Sequence, residues 1–157
     1  MNIICFHNPN EENGYLSNWY PSPFKVGNVE FSSMEQFMIY RKAGFFCDDA
    51  IAKKILSTDD VAEIKSLGRE VSNYDEHVWN GVRQIVVYEG LLEKFSQDRD
   101  LKDRLKDTGG AVLAECAVKD LIWGTGLSMN DPNRFEMSKW RGQNLLGYTL
   151  MMVRERL

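Results

Sequence analysis

The chain has 157 residues, 43% of them apolar and 27% charged, with a formal net charge of −4. That length and balance suit one soluble globular domain large enough to bury a real core. The acidic balance excludes a tight, sequence-independent grip on a nucleic-acid backbone, but not a local pocket for one phosphate or one nucleotide.

Cys5, Cys47 and Cys116 are odd in number and form no close pair in sequence. They make a poor disulfide framework and a poor zinc site, so reduced thiols in a cytosol are expected. The opening "MNIICF" lacks a positive region followed by a long apolar run, so no signal peptide is expected. No apolar stretch approaches membrane-spanning length. The chain therefore reads as cytoplasmic, with no membrane and no obligate protein partner.

In chain order, "NIICF" is a short apolar strand bounded by "HNPNEENG". "NWYPSPF" is a rigid aromatic loop, and "VGNVEF" a turn with a short strand. "SSMEQFMIYRKAGFF" predicts an amphipathic helix, with Ser32 as N-cap and Glu35 as its capping-box partner. "DDAIAKKIL" and "STDDVAEIKSLG" predict two short helices, the second ending on Gly68. "DEHVWNGVRQIVVYEGLLEKFSQ" is the longest helical segment, with Val78, Val82, Ile85, Val86 and Phe95 at helical spacing. "DRDLKDRLKDTGG" predicts a further helix stopped by Thr-Gly-Gly, and "AVLAEC" a second core strand. Residues 124–141 read as a long polar loop. "GQNLLGYTLMMVRERL" closes as an amphipathic helix with its cations in the last turn, where the dipole favours them. The sum is an α+β fold, mainly helical, in a single domain.

Glu35 and Lys42 stand out because they lie seven residues apart on one helix, close to two turns, with Met38 and Ile39 between them. Their separation of about 10 Å along the axis is too long for a one-turn ion pair and long enough to take a small molecule. Glu35 as a plain cap and Lys42 as a plain surface lysine are the competing explanations. Trp19 and Trp140 lie in polar loops, where aromatics stack planar ligands, while Trp79 reads as core. "DLIWGTG" joins Asp120 and Trp123 to Gly124 and Gly126, whose presence suggests a sharp turn or a close approach. Arg69, just past Gly68, can satisfy helix-end carbonyls or reach a phosphate. Asn144 lies near a helix N-terminus, where backbone N–H groups favour anions, and is equally a good residue for starting a helix. His7 and His77 share no serine elbow or metal spacing, so no metal site is expected.

Together, "LSNWYPSPF", "SSMEQFMIYRKA", "LGRE", "DLIWGTG" and "RGQNLLGYTLMMVRERL" resemble the NADAR family of YbiA-like N-glycosidases, in the family's order and over nearly the whole chain. The resemblance implies a compact α+β fold and cleavage of an N-glycosidic bond between ribose and a base-like amine, without cofactor. It implies two substrate classes: phosphoribosylamino-pyrimidine intermediates of riboflavin synthesis, and ADP-ribose on guanine, including that of ADP-ribosylated nucleic acid. By the same resemblance Lys42, Glu35 and Asp120 are catalytic. Ser17, Asn18, Trp19, Arg69, Trp123, Gly124 and Asn144 bind substrate. Trp19 stands where the family often has phenylalanine. The alternative is a module that binds ADP-ribose or another nucleotide without cleaving it.

Overall fold

The computed structural model describes residues 1–157. In chain order its elements are β1 (Ile3–Phe6), β2 (Phe24–Val26), β3 (Val29–Phe31), α1 (Met34–Phe45), α2 (Asp49–Leu56), α3 (Val61–Gly68), α4 (Glu76–Gln97), α5 (Arg99–Asp107), β4 (Val112–Glu115) and α6 (Leu145–Arg156). Short 3-10 turns add Gly14–Leu16, Pro132–Phe135 and Met137–Lys139. Mostly helical with a few short strands, this is the α+β class that the sequence predicts. No helix is long and apolar enough to cross a membrane. The chain divides into two compact units, one of Pro21–Gln97 and one of Met1–Tyr20 with Asp98–Leu157.

In the first of these units α1 is the central helix, in contact with α2, α3, α4 and β3. Its residues Met34 to Ile39 are all buried, with no polar face over the first half. The expected amphipathic stripe is therefore corrected over this half: where the helix is surrounded, it has no solvent face to keep polar. The β2–β3 hairpin docks on α1 through Phe24, Phe31 and Phe37, whose rings lie 5.1 to 5.8 Å apart. β2 starts on Phe24, the last residue of the aromatic segment expected to be loop, and ends on Val26, the first of the segment expected to be a turn with a short strand. On α4 the apolar spacing misassigns part of the face. Of the residues at helical spacing Val86 and Phe95 are buried but Val78 and Ile85 are exposed, and the rest of the buried face is Trp79, Val87, Gly90, Leu91 and Lys94. Gly90 lets α4 approach α1 closely, because a Cβ there would run into the Phe37 ring and lie 2.8 Å from the Met34 methyl.

The expected capping box shifts by one residue. Ser33, not Ser32, is the N-cap, and its hydroxyl accepts from the Gln36 N–H at 3.2 Å. The Gln36 side-chain oxygen Oε1 in turn accepts from the Ser32 N–H at 2.7 Å and its hydroxyl at 3.1 Å. The Gln36 amide nitrogen donates to Ile55 and Thr58 carbonyls at 3.0 and 2.9 Å, tying the start of α1 to the end of α2. Gln36 is 2% exposed, so each of these bonds replaces water that cannot reach it.

In the other unit β1 and β4 pair in parallel, Ile3 opposite Val112 and Cys5 opposite Ala114. This register brings two cysteines distant in sequence together. Cys116 follows β4, bonds Phe6 through its N–H, and shares a buried cluster with Cys5 that Ile3, Met129 and Trp140 cover. Its hydrogen bond with Cys5, and burial, push the Cys116 thiol up. α6 packs on β4. Its last-turn cations do more than answer the dipole: Arg154 is buried and donates to the Thr108 hydroxyl and the Ala111 carbonyl at 2.8 and 2.9 Å.

Candidate functional site

The structure distributes the candidate residues between the units. Glu35, Lys42 and Arg69 belong to the unit of Pro21–Gln97, and Ser17, Asn18, Trp19, Asp120, Trp123, Gly124 and Asn144 to the other. Each group is built as follows.

With the cap assigned to Ser33 and Gln36, Glu35 loses its plain explanation. It sits in the first turn of α1, 5% exposed, where a carboxylate complements the positive helix end. Met38 and Ile39 beside it are buried, and Lys42 one face-repeat later is half-buried. The Lys42 amine does not run to solvent. Its Nζ donates to the Gly68 carbonyl at 2.8 Å and lies 4.5 Å from the centre of the Tyr74 ring. Burial holds the amine below the ordinary lysine value; the Glu35 carboxylate pulls it back up and the Arg69 guanidinium pushes it down.

Arg69 is the C-cap of α3, and its side chain is exposed. The helix-end carbonyls are met without its guanidinium: Gly68 by Lys42, Leu67 by the Glu70 N–H, and Ser66 by the Arg69 N–H. The sequence does not mark Tyr74 or the Gly68 carbonyl as partners of the lysine. Asp48, the acidic start of "DDAIAKKIL", caps α2 at Ile51; what the sequence does not mark is its second bond, from the Ser72 N–H at 2.8 Å, which anchors the loop that carries Tyr74. The only available signal was Tyr74 standing among polar residues in "VSNYDE".

In the other unit, "DLIWGTG" forms a tight turn organised by Asp120. Asp120 Oδ1 accepts from the Ile122 and Trp123 N–H groups at 3.0 and 2.8 Å. The two glycines answer different needs. A Cβ on Gly124 would stand 2.9 Å from the Asp120 carbonyl oxygen, and Gly126 has φ of +77°. Trp123 is half-buried.

The carbonyls of this turn hold the start of α6. Leu145 donates to Ile122 and Leu146 to Trp123, at 3.1 and 3.2 Å, while Asn144 donates to Gly124 at 3.0 Å. The expectation of an anion site at that helix start is corrected, because the Asn144, Leu145 and Leu146 N–H groups that would take the anion are already bonded. Asn144, in left-handed conformation at φ 51°, is fully buried. Its amide donates to the Leu113 carbonyl at 2.9 Å and accepts from the Glu115 N–H at 3.0 Å, extending the ladder of β4.

Ser17 and Asn18 are buried directly after the turn Gly14–Leu16, and the Ser17 hydroxyl accepts from the Trp19 N–H at 3.1 Å. Asn18 Oδ1 is buried without a hydrogen-bond partner. A buried amide oxygen left so costs on the order of 1–3 kcal/mol, and a ligand donor would recover it. Trp19 is half-buried. Trp140, a candidate for stacking, instead donates its indole N–H to the Arg134 carbonyl at 2.9 Å and covers the Cys5–Cys116 cluster.

The NADAR domain matches residues 5–157. An N-glycosidase of Acanthamoeba polyphaga mimivirus is 38% identical, over 97% of this chain and 94% of its own length. A riboflavin biosynthesis protein of Vibrio vulnificus is 34% identical over 98% of this chain, which corresponds to 38% of that protein. The solution structure of Escherichia coli YbiA superposes with a TM-score of 0.81 at 28% identity, covering 99% of this chain and 84% of that one. With a match spanning nearly every residue, and a likeness in fold as well as sequence, the chain belongs to the NADAR domain family.

Proposed function

We propose that the chain is an N-glycosidase that cleaves the bond between ribose and a base-like amine, using Lys42 as nucleophile and Glu35 as proton shuttle. The observation that carries this reading is the half-buried Lys42 amine, held below the ordinary lysine value and sharing a helix face with a buried carboxylate. The names of the relatives, N-glycosidase and riboflavin biosynthesis protein, support the same reaction class.

In this mechanism the neutral amine attacks C1′ while the C1′–N bond to the base breaks. Glu35, as general acid, protonates the departing nitrogen. The sugar ring opens to a Schiff base on Lys42; water adds at C1′, and the open-chain ribose leaves with the amine restored. Lowering the amine's basicity supplies the neutral fraction that attack requires. Asp120 orients the water or a ribose hydroxyl. Trp123 and Trp19 stack the base, Arg69 meets phosphate, and Ser17, Asn18 and Gly124 hold the ribose. Asn144 acts here through the backbone it braces, since its amide is committed to β4. The substrates are a phosphoribosylamino-pyrimidine or ADP-ribosylated guanine.

The test is release of free base from a phosphoribosylamino-pyrimidine and from ADP-ribosyl-guanosine, assayed side by side. Borohydride added during turnover should fix the sugar on the peptide containing Lys42, and Lys42→Arg should give neither adduct nor turnover, because arginine stays protonated. Normal hydrolysis by Lys42→Arg would end the covalent mechanism. Binding of both compounds without release of base would leave a nucleotide-binding module.

A further inference from the structure

Three groups act on the Lys42 amine from outside its own helix: the Gly68 carbonyl and the Tyr74 ring, which it meets, and the Arg69 guanidinium, whose positive charge it feels. The first two favour the charged ammonium. A carbonyl oxygen accepts from it, and the negative face of an aromatic ring attracts it. An ammonium has no lone pair, so what holds it in place also holds it unreactive.

The loop around Tyr74 is built to keep the ring there. Asp48 fixes the loop at the Ser72 N–H, Asn73 turns it with φ of 58°, and the Phe46 ring meets Tyr74 edge-on at 5.3 Å. Tyr74 is nevertheless 44% exposed, so burying an apolar surface does not explain its placement.

We propose that Tyr74 is a positioning residue that parks the Lys42 ammonium against the Gly68 carbonyl, so that the amine must leave the ring and carbonyl before it reacts. Tyr74 and Gly68, with Glu35, hold the proton on; burial and Arg69 drive it off. The balance sets how much neutral amine exists at a given pH. Only the consequence for turnover rests on the glycosidase reading above; the geometry of the resting lysine stands apart from it.

The test separates the two. Lys42 in the free protein is labelled with acetic anhydride across a range of pH, and its modification is followed by mass spectrometry against a reference amine. Tyr74→Leu should move the midpoint for Lys42 down and raise the neutral fraction about two- to five-fold below that midpoint, the size of a cation–π contact at a partly exposed site. Tyr74→Gln, which also lacks the ring but suits an exposed loop, should agree. Tyr74→Phe keeps the ring and should label like the native protein. Unchanged midpoints in Tyr74→Leu and Tyr74→Gln, or a shift in Tyr74→Phe as large as theirs, would overturn the proposal. In turnover, the acidic limb of kcat/KM should follow the labelling midpoint. A limb that stays put while labelling shifts would overturn Lys42 as nucleophile and leave Tyr74's hold on the amine intact.

Discussion

Glu35 and Lys42 illustrate how one helix face gives two ionisable groups different fates. The carboxylate sits at the buried, electropositive end of α1, and the amine reaches a carbonyl and a ring beyond its own helix. Their seven-residue spacing was legible in the sequence because it follows from helix geometry alone. The cap was not. "SSMEQ" offers Ser32 with Glu35 and Ser33 with Gln36 at the same spacing, and only the reach of Gln36 to Ile55 and Thr58 selects the second. Tyr74 was illegible for a related reason: its partner lies in another element, and no periodicity links a loop to a helix. For Trp123, half-buried beside the Asp120 turn, Trp123→Ala should weaken substrate binding by about 1–3 kcal/mol if the indole stacks a base. Equilibrium binding, with a thermal melt as control, checks it. Unchanged affinity in a folded variant would make Trp123 a packing residue.

At the scale of elements, α4 offers a paired experiment on its two interior glycines. Alanine is preferred to glycine inside a helix by roughly 1 kcal/mol. Gly81 is exposed with nothing within 4 Å of where a Cβ would lie, so Gly81→Ala should raise stability by about that amount. Gly90→Ala must force the Phe37 ring and the Met34 side chain aside, and overpacking of this kind costs about 1–3 kcal/mol. The steric term should win, and urea unfolding should show the two variants moving in opposite directions. The start of α2 supplies a pH-dependent term. Backbone N–H groups of Ser72 and Ile51 hold the Asp48 carboxyl below the ordinary aspartate value of 3.8. A carboxyl lowered on folding contributes stability above its unfolded value and loses it as pH falls through the folded one. Asp48→Asn should therefore be less stable at neutral pH, with a shallower loss of stability in acid, when melts are recorded across that range. Helix starts and stops were largely legible here because acidic caps and Gly68 are local signals. The burial of the first half of α1 on all sides was not, since it depends on what three other helices bring to it.

For the whole molecule, the order of elements could be read along the chain, but the pairing of β1 with β4 could not. Nothing in "IICF" or "VLAE" names a partner, and two short apolar strands are compatible with many pairings. That pairing also bears on how the protein comes into being. Residues Pro21–Gln97 form a continuous compact unit, whereas the other joins Met1–Tyr20 to Asp98–Leu157. β1 leaves the ribosome before β4, and the strand that completes its hydrogen bonds is about a hundred residues downstream, so joining them closes a loop of that length. Contacts so distant in sequence form late, because chain entropy is lost before pairing rewards it. During refolding, pulsed hydrogen exchange should therefore protect amides of α1 and α4 before those of β1 and β4. Simultaneous protection would mean that the two units fold in one step. If the order holds, the nascent chain carries an unpaired apolar strand, "IICF", while the hundred or so residues up to β4 are made, with the free thiol of Cys5 in it. Until β4 arrives, that strand is the segment of this protein most exposed to pairing with another chain.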